Sequence, residues 1–210
     1  MNKPKNKFKK VKWLFGKTIE IPEEWEVKTL NELDVKTTSG GTPNRSILEY
    51  YQGDIIWLKI NEVNDNFIYD SEEKITVAGL ENSSAKKLPK KTVLLAMYGS
   101  IGKTAILMKQ GTVNQAICAF LPNKTFNEFF LQQFLINNRS ALVSLGMGAV
   151  QSNLNQEVIR KFQYLLPPLS EQTRIASILS GVDAINTMLL ATKTRMRLAI
   201  FLTLLRLVIL

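Results

Sequence analysis

A pair of prolines, Pro167-Pro168, divides the chain, and the pattern that follows them constrains the fold most. Beyond Ser170-Glu171, apolar side chains recur at Ile175, Ile178, Val182, Ile185 and Leu189, then at Met196 and Ala199. These fall on the a and d positions of a seven-residue repeat, with Thr192 as its one polar misfit. The repeat predicts an amphipathic helix of more than about 25 residues. A helix that long, in a chain of 210 residues, cannot bury its whole seam against its own small domain. It therefore predicts a partner helix, with Ile175, Ile178, Val182, Ile185, Leu189 and Met196 as the pairing residues. A long core helix packed on its own domain is the other reading of the same periodicity. The last stretch, Leu198 to Leu210, is almost wholly apolar and slips out of register, with Leu198, Leu202, Leu205 and Ile209 in line.

Upstream of the prolines the periodicity changes. Ile55-Ile-Trp-Leu58 with Ile60, Thr92 to Tyr98, Thr104 to Met108 and Val113 to Leu121 read as strands separated by glycines and turn residues. Phe126 to Ser144 takes up helical spacing through Phe130, Leu131, Phe134, Leu135, Leu142 and Val143. Gln156 to Lys161 reads as a short helix and Tyr164 to Leu166 as an extended segment before the prolines. Trp25, Val27 and Leu30 read as early core anchors. The fold class predicted is α+β: a mixed β-sheet domain over residues 18–168, preceded by an arm over 1–17 and followed by the long C-terminal helix over 169–210.

Charge is distributed unevenly. The net charge is +9, but residues 1–17 carry seven lysines and no acid, residues 18–81 carry 5 basic against 14 acidic side chains, and residues 82–182 carry 11 basic against 3 acidic. Such an excess is a statement about partners, and a polyanion is the usual one. The arm reads either as a solvated, frayed tail or as an electrostatic contact for that polyanion.

Several chemistries are excluded. With no histidine and one cysteine, Cys118, Ser-His-Asp and Cys-His catalysis, histidine or thiolate metal sites and an internal disulfide all fall away. Gly99-Ser-Ile-Gly-Lys-Thr104 ends like a phosphate-binding loop, but Met97 stands where that pattern needs its first glycine, and Thr104-Ala-Ile-Leu reads as strand instead of helix. The acid-x-Lys triples at Asp34-Val-Lys36 and Glu72-Glu-Lys74 are of a kind that recurs by chance in a chain this charged. Leu166-Pro-Pro-Leu169 lacks the polar and aromatic members of a methyltransferase tetrad. The N-terminal 17 residues are too polar for a signal peptide, and no apolar run reaches the 18 or so residues that span a bilayer, so the chain reads as cytoplasmic with no membrane partner.

What remains is a set of loops rich in hydrogen-bonding side chains. Thr42, Asn44 and Arg45 lie in one, Tyr98, Ser100 and Lys103 in a second, Asn114 and Gln115 in a third, and Gln151, Asn153 and Asn155 in a fourth. Asn, Gln and Arg can make paired contacts to base edges, while Lys, Ser and Thr suit phosphate. Lys59, Lys86, Lys87, Lys90 and Lys91 add charge beside them.

These same residues carry a resemblance. Ser39-Gly-Gly-Thr-Pro43, Gly53-Asp-Ile-Ile-Trp-Leu-Lys59, Leu88 to Lys103, Asn114-Gln-Ala-Ile-Cys-Ala119, Gln151-Ser-Asn-Leu-Asn155 and Pro167-Pro-Leu-Ser-Glu-Gln-Thr-Arg-Ile-Ala176 occur in the order and spacing of the specificity subunit of type I restriction-modification systems. The resemblance covers about Pro22 to Asp183. It implies a twisted-sheet target recognition domain joined to a coiled-coil helix, binding one half of a bipartite site on double-stranded DNA. It implies no active site and no cofactor on this chain. S-adenosylmethionine, ATP and Mg2+ are then expected on partner subunits: methyltransferase subunits docked directly, and a restriction subunit reached through them. With one recognition domain and one long helix, the chain is expected to pair with a copy of itself or a second specificity chain, or to be a remnant of a longer one. An interaction module or decayed paralogue that acts through its helix without reading DNA is the alternative.

Overall fold

The computed structural model describes residues 7–33, 35–146 and 154–181. The chain divides into two units, Met1–Gln172 and Thr173–Leu210.

The core of the first unit is a five-stranded sheet. Its middle strands are uninterrupted apolar runs: β8 (Val93–Ala96), β9 (Thr104–Leu107) and β11 (Ile117–Phe120) are buried at every position. A strand covered on one face alternates, whereas a strand covered on both does not. Both faces of this sheet are indeed covered. On one side Leu94, Ala96, Ala105, Leu107, Ile117 and Ala119 share a core with Ile56, Leu58 and Val113 of a second, three-stranded sheet. On the other side lies helix α2 (Glu128–Asn137), which buries Phe130, Leu131, Phe134 and Leu135 and packs on β8 and β9. The outer strands of the large sheet are β4 (Thr37–Ser39), antiparallel to β11, and β6 (Asn66–Ile68), parallel to β9.

In the second sheet β5 (Tyr51–Leu58) lies between β7 (Glu73–Ile75), antiparallel, and β10 (Thr112–Val113), parallel. A short helix α1 (Val77–Glu81) follows β7. Two ribbons complete the unit: β1 (Phe8–Lys12) with β2 (Thr18–Pro22), and β3 (Glu26–Thr29) with β12 (Gln163–Leu166). Helices α3 (Arg139–Gly146) and α4 (Gln156–Lys161) lie between α2 and β12.

The structure corrects the sequence-based boundaries at several points. Residues 8–12 of the basic arm are paired in β1 and do not form a frayed tail. The strand Val113 to Leu121 is two strands, because Asn114 turns the chain and its side chain accepts from the Ala116 N–H. The helix over Phe126 to Ser144 breaks at Asn138, whose side chain donates to the Phe134 carbonyl. The strand read from Ile55 begins earlier, at Tyr51, so that Gly53-Asp54 sits inside β5, where the register slips between Tyr51 and Ile55. Of the three proposed anchors only Leu30 is fully buried. Trp25 and Val27 are half-buried.

The diproline motif has a clear physical role. Past it the chain turns helical at residues 169–172. Gln172 is buried and its amide is satisfied on both sides, accepting from the Asn127 N–H and donating to the Thr125 and Pro167 carbonyls, each at 2.9 Å. Glu171 accepts from the Trp25 indole at 2.9 Å. In the second unit, the described residues 173–181 are helical, with Ile175 half-buried and Ile178 61% exposed. Val182, Ile185, Leu189, Met196 and the apolar tail lie outside the described residues.

Candidate nucleic-acid interface

Sheet register gathers the polar loops at one end of the five-stranded sheet. Cys118 pairs with Ser39 and Ile117 with Ala96, while Leu95 pairs with Thr104 and Asn66 with Ala105. Chain segments just beyond these pairs must therefore share an end: Gly40 to Thr42, Asn114 to Ala116, Met97 to Lys103, and Asp65. Lys90 and Lys91, by contrast, precede β8 and lie at the opposite end, where Lys91 pairs with Glu128 at 2.6 Å.

Two of the sequence-predicted loops touch directly. The Thr42 hydroxyl donates to the Gln115 side-chain carbonyl at 2.7 Å, and the Gly41 N–H donates to the Val113 carbonyl at 3.0 Å. This approach needs glycine. A Cβ on Gly40 would stand 1.7 Å from the Val113 carbonyl oxygen, and one on Gly41 2.0 Å from the Ser84 hydroxyl. The fourth loop joins the same end, because the Leu154 N–H donates to the Met97 carbonyl. Gln151 and Asn153 fall outside the described residues. Asn155 caps α4, its side-chain carbonyl accepting from the Val158 N–H at 2.9 Å.

The turn between β8 and β9 carries Tyr98 and Ser100, both exposed, and passes through left-handed backbone at Gly99 and Gly102. Thr104 continues it as a strand, so the Gly-Lys-Thr run does not open a helix. What fixes the turn is Asp65, a residue outside the polar loops singled out in the sequence. Its carboxylate accepts from Lys103 at 3.2 Å, from the Thr104 N–H and hydroxyl at 3.1 Å each, and from Arg139 at 2.6 Å. Burial opposes ionisation here, but the hydrogen bonds from Arg139, Thr104 and Lys103 outweigh it and hold the carboxyl below its ordinary range. Arg139 also donates to the Gly102 carbonyl at 3.0 Å. The cluster of Asp65, Lys103 and Arg139 keeps one positive charge in excess.

A second basic group surrounds Trp57. The Arg45 guanidinium lies 4.6 Å from the Tyr51 ring centroid and 4.7 Å from that of Trp57, and it pairs with Glu73. Lys59 pairs with Glu73 at 2.9 Å and Glu72 at 3.1 Å, and its hydrogen bonds to Glu73 and then Glu72 raise its affinity for the proton. The Arg45 and Lys59 contacts hold Glu73 ionised below the usual carboxylate range. A cleft of about 560 Å³ opens here between Arg45, Leu48 and Gln52 on one side and Glu72 to Lys74 on the other. Arg45, predicted as a base-reading side chain, and Lys59, predicted as charge beside the loops, thus come with carboxylates. Asn44 accepts from the Ser46 N–H in its own loop, and Lys86 donates to Thr38 at 3.1 Å. Lys87 and Lys90 are exposed.

Cys118 is buried and desolvation pushes its thiol up to about 12, so it is held as a neutral packing group. Among the described residues no group of three or more His, Cys, Asp or Glu could hold a metal ion, and no helix is long and apolar enough to cross a membrane.

Comparison with known proteins bears on the family and the fold. The chain is 30% identical over 169 residues to the specificity subunit of the type I restriction enzyme MjaIX of Methanocaldococcus jannaschii, covering 78% of this chain and 39% of that one. It is 25% identical over 170 residues to the EcoR124I/EcoR124II specificity subunit of Escherichia coli, covering 78% of this chain and 42% of that one. The chain thus spans about two-fifths of the length of these relatives. Its fold matches the HsdS subunit from Thermoanaerobacter tengcongensis with a TM-score of 0.59 at 18% identity, over 78% of this chain and 38% of that one. A chain from a structure describing assembly and conformational transition of a type I R-M system matches with a TM-score of 0.64 at 19% identity, over 80% of this chain and 40% of that one. The model of the type I restriction modification DNA specificity domain matches residues 22–195, and the chain belongs to that family.

Proposed function

We propose that the chain reads one half of a bipartite site on double-stranded DNA for a type I restriction-modification complex and performs no catalysis itself. One observation carries this reading: the loops richest in Asn, Gln, Thr, Ser and Lys, scattered from Thr42 to Gln115 in sequence, meet at one end of a rigid sheet and are fixed there by Thr42–Gln115 and by the Asp65 cluster. A rigid sheet holding adaptable polar loops can present hydrogen-bond groups to base edges in register, while cations beside them position the backbone. The helix that begins at Leu169 would carry the docking function, pairing with a second helix through Ile175, Ile178, Val182, Ile185, Leu189 and Met196. Methyltransferase subunits would dock beside it and bring S-adenosylmethionine; the restriction subunit, with ATP and Mg2+, would join through them. The site of action is then the cytoplasm, where the DNA is.

Mapping methylated positions in cells with and without the chain tests this. A split site that is methylated only in its presence supports the reading. A palindromic one indicates two copies of the chain and an asymmetric one a second specificity chain. An unchanged methylation pattern, with the methyltransferase still co-purifying, overturns DNA reading in favour of a helix-mediated interaction module.

A further inference from the structure

The ribbon of β1 and β2 lies almost entirely before residue 22, where the family match begins. Its register puts Lys9, Val11, Ile19 and Ile21 on one face and Lys10, Lys12, Thr18 and Glu20 on the other. The first face is inward, with Ile21 3% exposed. The ribbon is anchored where its strands meet: Leu14 is buried, and the Trp13 ring packs edge-on against Phe134 with centroids 6.3 Å apart. Phe134 is in the last turn of α2, five positions before the Arg139 that grips Gly102. Glu128, in the first turn of α2, pairs with Lys91 at the opposite end of the sheet, so the ribbon is anchored toward the sheet end that carries the polar loops.

The outer face has the chemistry of a polyanion contact. Lys10 and Lys12 stand two positions apart on one strand, hence on one side and roughly 6.8 Å apart, and Lys17 follows at the exposed tip. The acid opposite them is Glu20, 3.9 Å from Lys10, and both side chains are mostly exposed, a pair worth little in water. At the tip, Phe15 is 62% exposed and holds a left-handed backbone with φ of 57°. A bulky side chain rarely takes that conformation, and solvent exposure adds nothing to offset it.

We infer that this ribbon is a second DNA contact, in which Lys10, Lys12 and Lys17 hold the phosphate backbone flanking the sequence read by the sheet-end loops. The inference rests on the DNA-reading function proposed above. Phosphate contacts of this kind raise affinity for every sequence alike and leave discrimination to the loops.

The test uses the full chain assembled with its methyltransferase partner and fluorescent duplexes that do and do not contain the methylated site, titrated across a series of salt concentrations. In the triple variant Lys10→Gln, Lys12→Gln, Lys17→Gln the slope of log affinity against log salt should become shallower by about 2.7, at roughly 0.9 per lost phosphate contact. The ratio of site to non-site affinity should stay within about twofold. A parent complex that prefers its site while the variant keeps the parental salt slope overturns the ribbon contact and leaves DNA reading intact. A parent complex with no salt-dependent DNA binding overturns both. Far-ultraviolet circular dichroism of the variant shows that the ribbon substitutions, all on the outer face or the tip, have not unfolded the chain.

Discussion

Arg139, at the start of α3, donates to Oδ1 of Asp65 at 2.6 Å, joining residues 74 positions apart across the end of the sheet. The bond does more than tie a helix to a loop. The same carboxylate holds Lys103 and both donors of Thr104, so one side chain sets the shape of the whole β8–β9 turn. Removing it in Asp65→Ala leaves two cations and a backbone N–H without their acceptor. Hydrogen bonds to a charged group are each worth about 1.5–3 kcal/mol; partial exposure of the cluster reduces this, so a loss of about 2–3 kcal/mol in urea unfolding is expected. Asp65→Asn should recover part of it, since asparagine tolerates the left-handed φ of 56° found there.

The pH dependence follows from the same residues. Asp65 and Glu73 have folded-state proton affinities below those of the unfolded chain. Their stabilisation is therefore complete above the unfolded values near 4 and is lost as pH falls through the lower folded values. The chain has no histidine, the side chain that ordinarily titrates between about pH 5 and 8. Urea midpoints should be flat across that interval and drop below about pH 4, with a shallower drop in Asp65→Asn.

Much of this was legible in the sequence, and the exceptions have physical causes. The strands β8 and β9 were visible between turn residues, whereas β11 was legible only as part of one longer strand from Val113 to Leu121. The failure of Gly99 to Thr104 as a phosphate loop was visible because Thr104 begins β9. Asp65 was invisible, since Lys103 is brought to it by the parallel pairing of β6 with β9 and Arg139 by the start of α3. The break at Asn138 was hidden because Leu142 and Val143 continue the helical spacing across it. The ion pairs of Arg45 and Lys59 were not legible because their acids, Glu73 at the start of β7 and Glu72 just before it, come beside β5 only through strand pairing.

Gly40 tests the joint between the first and third polar loops. Its missing Cβ is replaced by a backbone carbonyl at 1.7 Å, and a carbonyl in a sheet cannot swing aside as a long side chain can. Gly40→Ala should cost about 3 kcal/mol or more, which for a domain of this size lowers the thermal midpoint by about 6–12 °C. The same substitution should weaken DNA binding through the lost Thr42–Gln115 approach.

Glu73 restrains two cations, Arg45 and Lys59. Glu73→Gln removes that acid while keeping the shape of the side chain, leaving Arg45 stacked on Tyr51 and Trp57. If this cluster borders the DNA, the variant should bind all duplexes more tightly and show a salt slope steeper by about one. An unchanged slope places the cleft away from the nucleic acid.

Lys103 and Gln115 share one end of the sheet but should respond differently to substitution. Lys103 is an ammonium at the edge of a cluster with one excess positive charge, so Lys103→Ala should weaken binding to site and non-site duplexes alike and reduce the salt slope by about one. Gln115 is exposed and its carbonyl is held by Thr42, which leaves the amide nitrogen as the donor group it can offer a base. Gln115→Ala removes a group able to discriminate bases and should cost about 1–3 kcal/mol on the methylated site, with little change on random DNA or in salt slope. Competition binding with single-base variants of the site separates the two: Lys103→Ala should preserve the rank order of variants, and Gln115→Ala should flatten it at one position.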